Sequence, residues 1–149
     1  MTKYNNSFVQ IYHADTFADR DTRRSMEGIA SLAGVKLLIS QIKIIEFNSE
    51  SVKTRAIIGN HRHYPESGQW EFIFVLGNVK RNLIEFRYRN IGAEIGKQIL
   101  KAGDIVIVPP GCSLALVALD EAARIIEISN KIFDPKNYLT DELFSKVGT

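Results

Sequence analysis

The stretch GDIVIVPPGCSLAL, residues 103–116, contains two short apolar runs separated by two prolines and a glycine. β-Branched residues dominate the first run, and Pro109, Pro110 and Gly111 favour a turn over a continued strand. The same pattern of apolar runs and turn residues extends along the chain, through VKLLISQIKIIEF (35–47), VKTRAII (52–58), EFIFVL (71–76), VKRNLIEFRYR (79–89), KQIL (97–100) and ARIIEIS (123–129). Short strands at near-regular spacing predict an all-β sandwich or barrel.

Helical periodicity occurs in only two places, around residues 21–32 and in the tail after Pro135. We predict short helices or turns there. The pairs Gly59-Asn60 and Gly77-Asn78, and the polar run from Asn48 to Ser51, are interpreted as turns. The 149 residues suit one domain, with a barrel core over about residues 35–130.

Composition excludes several classes of partner. The formal net charge is only +2 and is spread along the chain, so nothing favours nucleic acid or an anionic membrane surface. The first residues lack the apolar core of a signal peptide, and no apolar run has the ~20 residues of a membrane-spanning helix. The single cysteine, Cys112, rules out an intrachain disulfide. We therefore expect a cytoplasmic protein.

Candidate chemistry gathers in GNHRHYPESGQWEFIFVLGN, residues 59–78. On a strand, residues two apart face the same side, so His61 and His63 project together. Glu71 heads the next strand and shares a face with Ile73 and Val75. Two imidazoles and a carboxylate suit a divalent ion such as zinc or iron. Glu66 and Gln69, in the loop between, are alternative oxygen donors. The alternative to a functional site is a structural role for all three residues. The histidines would then be exposed or have their hydrogen bonds satisfied in the core, and the glutamate would discourage pairing of this strand with another sheet.

These two stretches together resemble the two sequence motifs of the cupin superfamily, which implies a jelly-roll barrel, the double-stranded β-helix. In cupins the first motif supplies two histidines and a glutamate, the second a further histidine, and all four bind a divalent metal. The resemblance therefore implies zinc, iron, nickel or manganese at His61, His63 and Glu71. Leu114 occupies the place of the fourth ligand, so the set is incomplete. Cys112, two residues away on the same strand face, is a candidate replacement ligand.

A narrower resemblance links Gly59-Asn60-His61 and the later Ser129-Asn130 and Phe133-Asp134-Pro135 to the sugar-nucleotide epimerases and ketoisomerases among the cupins. It implies proton transfer beside the keto group of a nucleotide-linked sugar, in surface polysaccharide biosynthesis and without a required metal. His61 or His63 would be the base, and the Gly-Asn context of His61 favours that residue. The other histidine or Tyr88 would return the proton.

That branch usually has an arginine where this chain has Ile58. Arg55, Arg87 and Arg89 are candidates to replace it, and with Asn60 and Glu71 they form the predicted substrate-binding set. Arg87 and Arg89 share one strand face, which lines the cavity or faces outward. The resemblance also implies a homodimer. Two other functions remain open: a non-catalytic or degenerate cupin that binds a small molecule, and a metal-dependent enzyme using the incomplete site.

Overall fold

Ten β-strands form two antiparallel five-stranded sheets in the computed structural model, which describes residues 8–13, 39–78 and 80–144. The strands are β1 (Gln10–Tyr12), β2 (Gln41–Glu46), β3 (Ile57–Arg62), β4 (Glu71–Leu76), β5 (Ile84–Arg89), β6 (Ile95–Leu100), β7 (Ile105–Val108), β8 (Ser113–Ala118), β9 (Arg124–Ser129) and β10 (Leu139–Thr140). Sheet A has the order β1-β7-β4-β9-β2, and sheet B has the order β10-β3-β8-β5-β6. The predicted all-β jelly-roll architecture is confirmed.

Helical structure is sparse in the described residues. One α-helix, α1, spans Ser49–Lys53, and two 3₁₀ turns span Pro65–Ser67 and Pro135–Asn137. The predicted turn at 48–51 is therefore the start of a helix, because the Asn48 side chain accepts a hydrogen bond from the Ser51 amide at 2.8 Å and caps it. No helix in these segments is long and apolar enough to cross a membrane.

Several predicted boundaries need correction. Of the predicted strand 35–47, the described residues 39–47 form a strand at 41–46. Residues 35–38 lie outside the described part, as does the predicted helix at 21–32. The segment 52–58 becomes a strand only at Ile57, since α1 occupies its beginning. After Pro135 the chain makes one 3₁₀ turn and then β10, which pairs with β3 and brings the tail beside the histidines.

Gly59 and Asn60 do not form a turn; they lie inside β3 at a bulge. Both have positive φ, +92° and +58°, and the pairing with β8 shifts register between Gly59 and His61. A Cβ on Gly59 would lie 2.6 Å from the Leu114 carbonyl oxygen, so the close approach of β3 to β8 requires glycine. The bulge sets the face on which His61 emerges.

The inner face of sheet A is layered from polar to apolar. One rung pairs Gln41, Ser129 and Glu71, the next pairs Lys43, Glu127 and Ile73, and the third pairs Ile45, Ile125 and Val75. The apolar end continues into the main core with Phe47, Phe86, Leu100 and Leu116. The fold therefore places a polar chamber at one end of an otherwise apolar barrel.

Candidate active site

His61, His63 and Glu71 meet in this polar chamber. The Nε2 atoms of the two histidines are 3.3 Å apart, and Glu71 Oε1 lies 2.9 Å from His63 Nε2 and 4.0 Å from His61 Nε2. The three side chains are 13%, 7% and 3% exposed, in the same order. The structure brings these three candidate residues together, and only His61 has appreciable contact with solvent.

The orientation of His63 is fixed from its other ring nitrogen. His63 Nδ1 lies 2.6 Å from the carbonyl oxygen of Asn137, which can only accept a hydrogen bond, so Nδ1 carries the proton. With Glu71 facing Nε2, a doubly protonated imidazolium satisfies both contacts. His63 is thus held between a carboxylate and a backbone carbonyl.

Asn137 and Gln69 hold this arrangement together. Asn137 Oδ1 accepts a hydrogen bond from the Tyr64 amide at 3.0 Å, and Asn137 Nδ2 donates to Gln69 Oε1 at 3.0 Å. The Gln69 amide nitrogen is thereby directed towards Glu71 Oε1, 3.4 Å away. It also lies 3.0 Å from His63 Nε2, to which it can donate only when that nitrogen carries no proton. Of the alternative donors named from the sequence, Gln69 is therefore buried at the site.

Tyr138 covers His61. Its ring stacks on the imidazole, with centroids 4.3 Å apart and planes 18° from parallel, and its hydroxyl donates to the Gly59 carbonyl at 3.4 Å. Sequence reasoning did not single out Tyr138 or Asn137. The signal available was the Phe133-Asp134-Pro135 segment just before them, which marks the return of the tail towards β3.

The two histidines have opposite electrostatic environments. Burial lowers the pKa of His61, and the nearby Glu71 charge offsets this only in part. Burial by itself would also lower the pKa of His63, but the hydrogen bond and charge of Glu71 outweigh it and raise that pKa. Burial would raise the pKa of Glu71, yet the hydrogen bond from His63 and both imidazole charges lower it. His61 therefore tends to be neutral where His63 is still protonated.

A second ion pair lies in the same chamber and was missed by sequence reasoning. Lys43 Nζ donates to Glu127 Oε1 at 2.7 Å, and the Glu127 side chain is only 8% exposed. Burial and the charge of Glu71 raise the pKa of Glu127, while Lys43 counteracts them. The Lys43 charge also acts on His61 and Glu71. Lys43 is thus a cation on the inner face of the barrel.

The three candidate arginines lie elsewhere. Arg87 packs over the Phe144 ring, on the outer face of sheet B, and donates to Glu85 at 2.8 and 3.0 Å. Arg55 reaches Glu85 at 3.4 Å, and Arg89 reaches Asp141 at 2.7 Å. Because Phe86 and Tyr88 face inward, the alternating arginines must face outward. The structure does not bring them to the histidines, so the predicted substrate contacts gain no support.

Asn60 and Tyr88 contact other groups than the substrate-binding and proton-transfer roles predicted for them would require. Asn60 Oδ1 accepts from the amides of Leu143 and Phe144, at 3.0 and 3.2 Å, and so anchors the tail. Tyr88 faces inward and stacks on Phe86, 5.5 Å between centroids. Leu114 on β8 lies between Tyr88 and His61 in the sheet. No ring contact or hydrogen bond within the described segments joins Tyr88 to either histidine.

Neither Glu66 nor Cys112 completes a ligand set. Glu66 is exposed on the 3₁₀ turn Pro65–Ser67. Cys112 is buried with its Sγ 3.6 Å from Asn90 Oδ1, and burial raises the pKa of the thiol. The only group of three or more metal-ligating side chains within the described ranges is His61, His63 and Glu71. The suggested role of Cys112 as a thiolate ligand is therefore not supported.

The donor set nevertheless fits one divalent ion. The three donor atoms lie within 4.8 Å of one another, and metal bonds of about 2.0–2.2 Å require separations of this order. Glu71 Oε2 is buried without a hydrogen-bond partner among the described residues. The contact of His63 Nδ1 with a carbonyl is also typical of a ligating histidine. Leu114 lies opposite His61 on β8 and leaves the fourth position without a donor.

A groove adjoins the chamber through Asn137. Its volume is about 380 Å³, and its lining includes Tyr64, Ile132, Lys131 and Lys136. Tyr64 and Ile132 are exposed, at 37% and 69%. The lining also contains two carboxylates, Glu66 and Asp134, so the groove combines apolar surface with two cations and two anions next to the residue that holds His63.

Comparison with known proteins agrees on the fold. A 3,4-ketoisomerase from Helicobacter canadensis superposes with a TM-score of 0.64 and 15% identity, over 89% of this chain and 90% of that chain. A 4-keto-6-deoxy sugar epimerase from Streptomyces spheroides gives 0.56 and 15%, over 75% of this chain and 56% of the other. A histidine-to-asparagine variant of a 3,4-ketoisomerase from Thermoanaerobacterium thermosaccharolyticum, in complex with TDP-4-keto-6-deoxyglucose, gives 0.53 and 12%, over 68% and 65%.

These likenesses confirm the predicted jelly-roll fold, which this chain shares with a sugar epimerase and with 3,4-ketoisomerases. The chain spans little more than half the length of the Streptomyces epimerase. No family model and no curated protein sequence matches it. The fold is therefore shared with these enzymes at low sequence identity.

Proposed function

We propose that this protein is an epimerase or isomerase that moves a proton beside the keto group of a nucleotide-linked sugar. The observation that supports it best is the pair of histidines with contrasting partners: His63 is clamped between Glu71 and the Asn137 carbonyl, and His61 lies 3.3 Å away under Tyr138. Neighbouring titratable groups with opposite pKa shifts are characteristic of acid–base pairs.

The proposed reaction begins at the His61 imidazole. Neutral Nε2 removes the proton on the carbon next to the carbonyl; the C–H electron pair forms a C=C bond, and the carbonyl π electrons move to oxygen as an enolate. The enolate then collapses, and a carbon takes a proton from protonated His61 or from His63. Return of the proton to the original carbon from the opposite face inverts that carbon. Where that carbon bears a hydroxyl, the hydroxyl proton passes to the enolate oxygen; protonation of the former carbonyl carbon then leaves a hydroxyl there and a new C=O on the neighbouring carbon. No oxidant or reductant is consumed.

Lys43 is proposed as the cation that stabilises the enolate oxygen, a role for which sequence reasoning considered the outward-facing arginines. Its ammonium is held by Glu127 on the inner face of sheet A. The Lys43 side chain is 39% exposed, so the ammonium is held in place by Glu127 and is not fully shielded from solvent. A preorganised cation stabilises negative charge as it develops on an oxygen. The Lys43→Met variant should reduce kcat while leaving nucleotide binding nearly unchanged, as measured by calorimetry.

The substrate class is supported by the adjoining groove. Aromatic Tyr64 can stack on a base, and Lys131 and Lys136 can donate to a diphosphate, while the sugar extends past Asn137 to His61. Glu66 and Asp134 in the same lining oppose this charge, so a nucleotide must be held there mainly by stacking and by direct contacts with the lysines. The Thermoanaerobacterium enzyme, which shares the fold, binds a TDP-linked keto sugar.

A divalent-metal enzyme is the second candidate, because the three donors converge on one point. His61, His63 and Glu71 would hold the ion. When bound, it would act as a Lewis acid that polarises a substrate oxygen. Metal analysis of protein purified without a histidine tag, compared with a His63→Ala variant, tests this directly. Stoichiometric metal that disappears in the variant would favour this candidate.

The test of the proposed function is proton exchange. The protein is incubated with TDP-4-keto-6-deoxyglucose in heavy water, and deuterium next to the keto group is followed by NMR. We expect incorporation with the wild type and a loss of about 10²- to 10⁴-fold in His61→Asn. His13→Asn is the matched control, since His13 pairs with Asp104 outside the chamber. Binding without exchange would favour the non-catalytic alternative; neither binding nor exchange would refute the proposal.

A homodimer, a cytoplasmic location and a role in surface polysaccharide biosynthesis are further parts of the proposal. The outer face of sheet A supports the dimer: Ile42 and Ile44 on edge strand β2 and Leu76 on β4 are 59%, 71% and 43% exposed. Contiguous exposed apolar side chains of this size favour burial in an interface. Light scattering on the purified protein, with Ile44→Lys as the disrupting variant, tests the assembly.

A further inference from the structure

A second polar pocket lies on the outer face of sheet B, separate from the histidine chamber. Its volume is about 180 Å³, and its polar lining comes from Arg62, Arg89, Asn90, Ser113, Thr140 and Asp141. Arg62, Ser113 and Arg89 form a single rung across β3, β8 and β5. His61, which precedes Arg62, faces the other side of the sheet. The pocket and the candidate active site therefore share β3 without sharing an opening.

One of the two arginines in the pocket is already oriented. Arg89 Nη1 donates to Asp141 Oδ1 at 2.7 Å, and the other oxygen of Asp141 accepts from the buried Ser113 hydroxyl. This chain fixes the Arg89 guanidinium at one wall of the pocket. Preorganisation lowers the ordering cost that a ligand must overcome.

The other arginine, Arg62, is unpaired in the described part of the chain. Among the described residues no ion pair or hydrogen bond involves the Arg62 side chain, so the lining carries two positive charges and one negative. Arg62 and Arg89 are separated by one intervening strand, which puts their backbones roughly 10 Å apart. Two long guanidinium side chains at that spacing can approach one small anion from opposite sides.

We propose that this pocket binds a phosphate-class oxyanion, either free phosphate or a phosphate monoester. Arg62 supplies the uncompensated charge and Arg89 the fixed guanidinium. The acidic side chain in the lining does not prevent this, since both of its oxygens are engaged by Arg89 and Ser113. The inference does not depend on the proposed reaction.

Isothermal calorimetry with inorganic phosphate at low ionic strength tests the proposal, with glycerol phosphate as the monoester probe. The test variant is Arg62→Gln, because the Arg62 side chain is exposed and makes no hydrogen bond or ion pair within the described residues. A second variant, Arg62→Lys, keeps the positive charge but loses the planar guanidinium and its parallel N–H donors. Arg124→Gln is the matched control, because Arg124 is an exposed arginine paired with Glu46 on sheet A.

We expect Arg62→Gln to weaken phosphate binding by about 10- to 100-fold, Arg62→Lys to weaken it less, and Arg124→Gln to leave it unchanged. Tighter binding of glycerol phosphate than of phosphate would identify a monoester as the ligand; the reverse would identify the free anion. No heat of binding in the wild type up to about 10 mM phosphate would overturn the proposal. Equal weakening by Arg62→Gln and Arg124→Gln would also overturn it, since general surface charge would then explain the binding.

Discussion

Replacing Gly59 by alanine should disturb the fold at the point that positions His61. Gly59 has φ +92°, and an added Cβ would lie 2.6 Å from the Leu114 carbonyl oxygen, 3.0 Å from Leu114 Cδ1 and 3.1 Å from Ala115 Cα. A left-handed backbone costs alanine about 1–2 kcal/mol. The backbone contact cannot be relieved by a side-chain rotation, and overpacking of this kind costs about 1–3 kcal/mol more. We therefore expect the free energy of unfolding to fall by about 2–5 kcal/mol.

The matched control is Gly68→Ala. Gly68 also has a positive φ, +64°, but an added Cβ there would meet nothing within 4 Å. The free energy of unfolding of Gly68→Ala should therefore fall only by the cost of the left-handed backbone, about 1–2 kcal/mol. Urea unfolding followed by circular dichroism measures both. If the two variants lose the same stability, the close approach of β3 to β8 contributes nothing and our account of the bulge is wrong.

Three further outcomes follow from the chamber. The rate of proton exchange should be bell-shaped in pH, rising as His61 loses its proton below the usual histidine pKa of 6.5 and falling as His63 loses its own above it. Glu71→Gln should move the falling limb to lower pH, whereas Glu66→Gln should not; unchanged limbs in Glu71→Gln would exclude this assignment. Because the pKa of His63 is raised in the fold, protonation of His63 stabilises the protein. This stabilisation is complete below pH 6.5 and is lost as the pH rises from 6.5 through the raised pKa, so Tm should decline in that window and Glu71→Gln should make the decline smaller. Finally, Leu114→His adds an imidazole opposite His61 and should strengthen zinc binding by at least roughly tenfold in a chelator competition; no gain would mean that the three donors are not poised for a metal.

The sequence was sufficient for the architecture and for the three central residues. Turn residues delimit most strands closely, and β4 spans the predicted EFIFVL with Glu71 and Ile73 on the inner face. His61 and His63 lie together because strand alternation is a local property. Local rules failed at Gly59-Asn60, because a turn pair and a bulge have the same composition. Only the pairing with β8 distinguishes them.

The surrounding residues could not be predicted because they depend on long-range pairing. Asn137 meets His63 across 74 residues of sequence, and Lys43 meets Glu127 across 84. Alternation shows which residues share a face but not which face is inside. The sequence therefore places Arg87 and Arg89 on the same strand face correctly, but it does not show whether that face lines the cavity or lies outside. The inward orientation of Phe86 settles the question, and it is known only from the fold.

The charge distribution of the chamber gives the strongest reason to regard His61 as the base. A buried charge is tolerated when a partner of opposite charge is hydrogen-bonded to it. In the described part of the chamber, Glu71 is hydrogen-bonded to His63 and Glu127 to Lys43, so each carboxylate already has its own cation. A proton on His61 would add a net positive charge that no carboxylate contacts closer than 4.0 Å. His61 is therefore most stable in its neutral form, with a free nitrogen lone pair beside a protonated neighbour, which is the state in which proton abstraction begins.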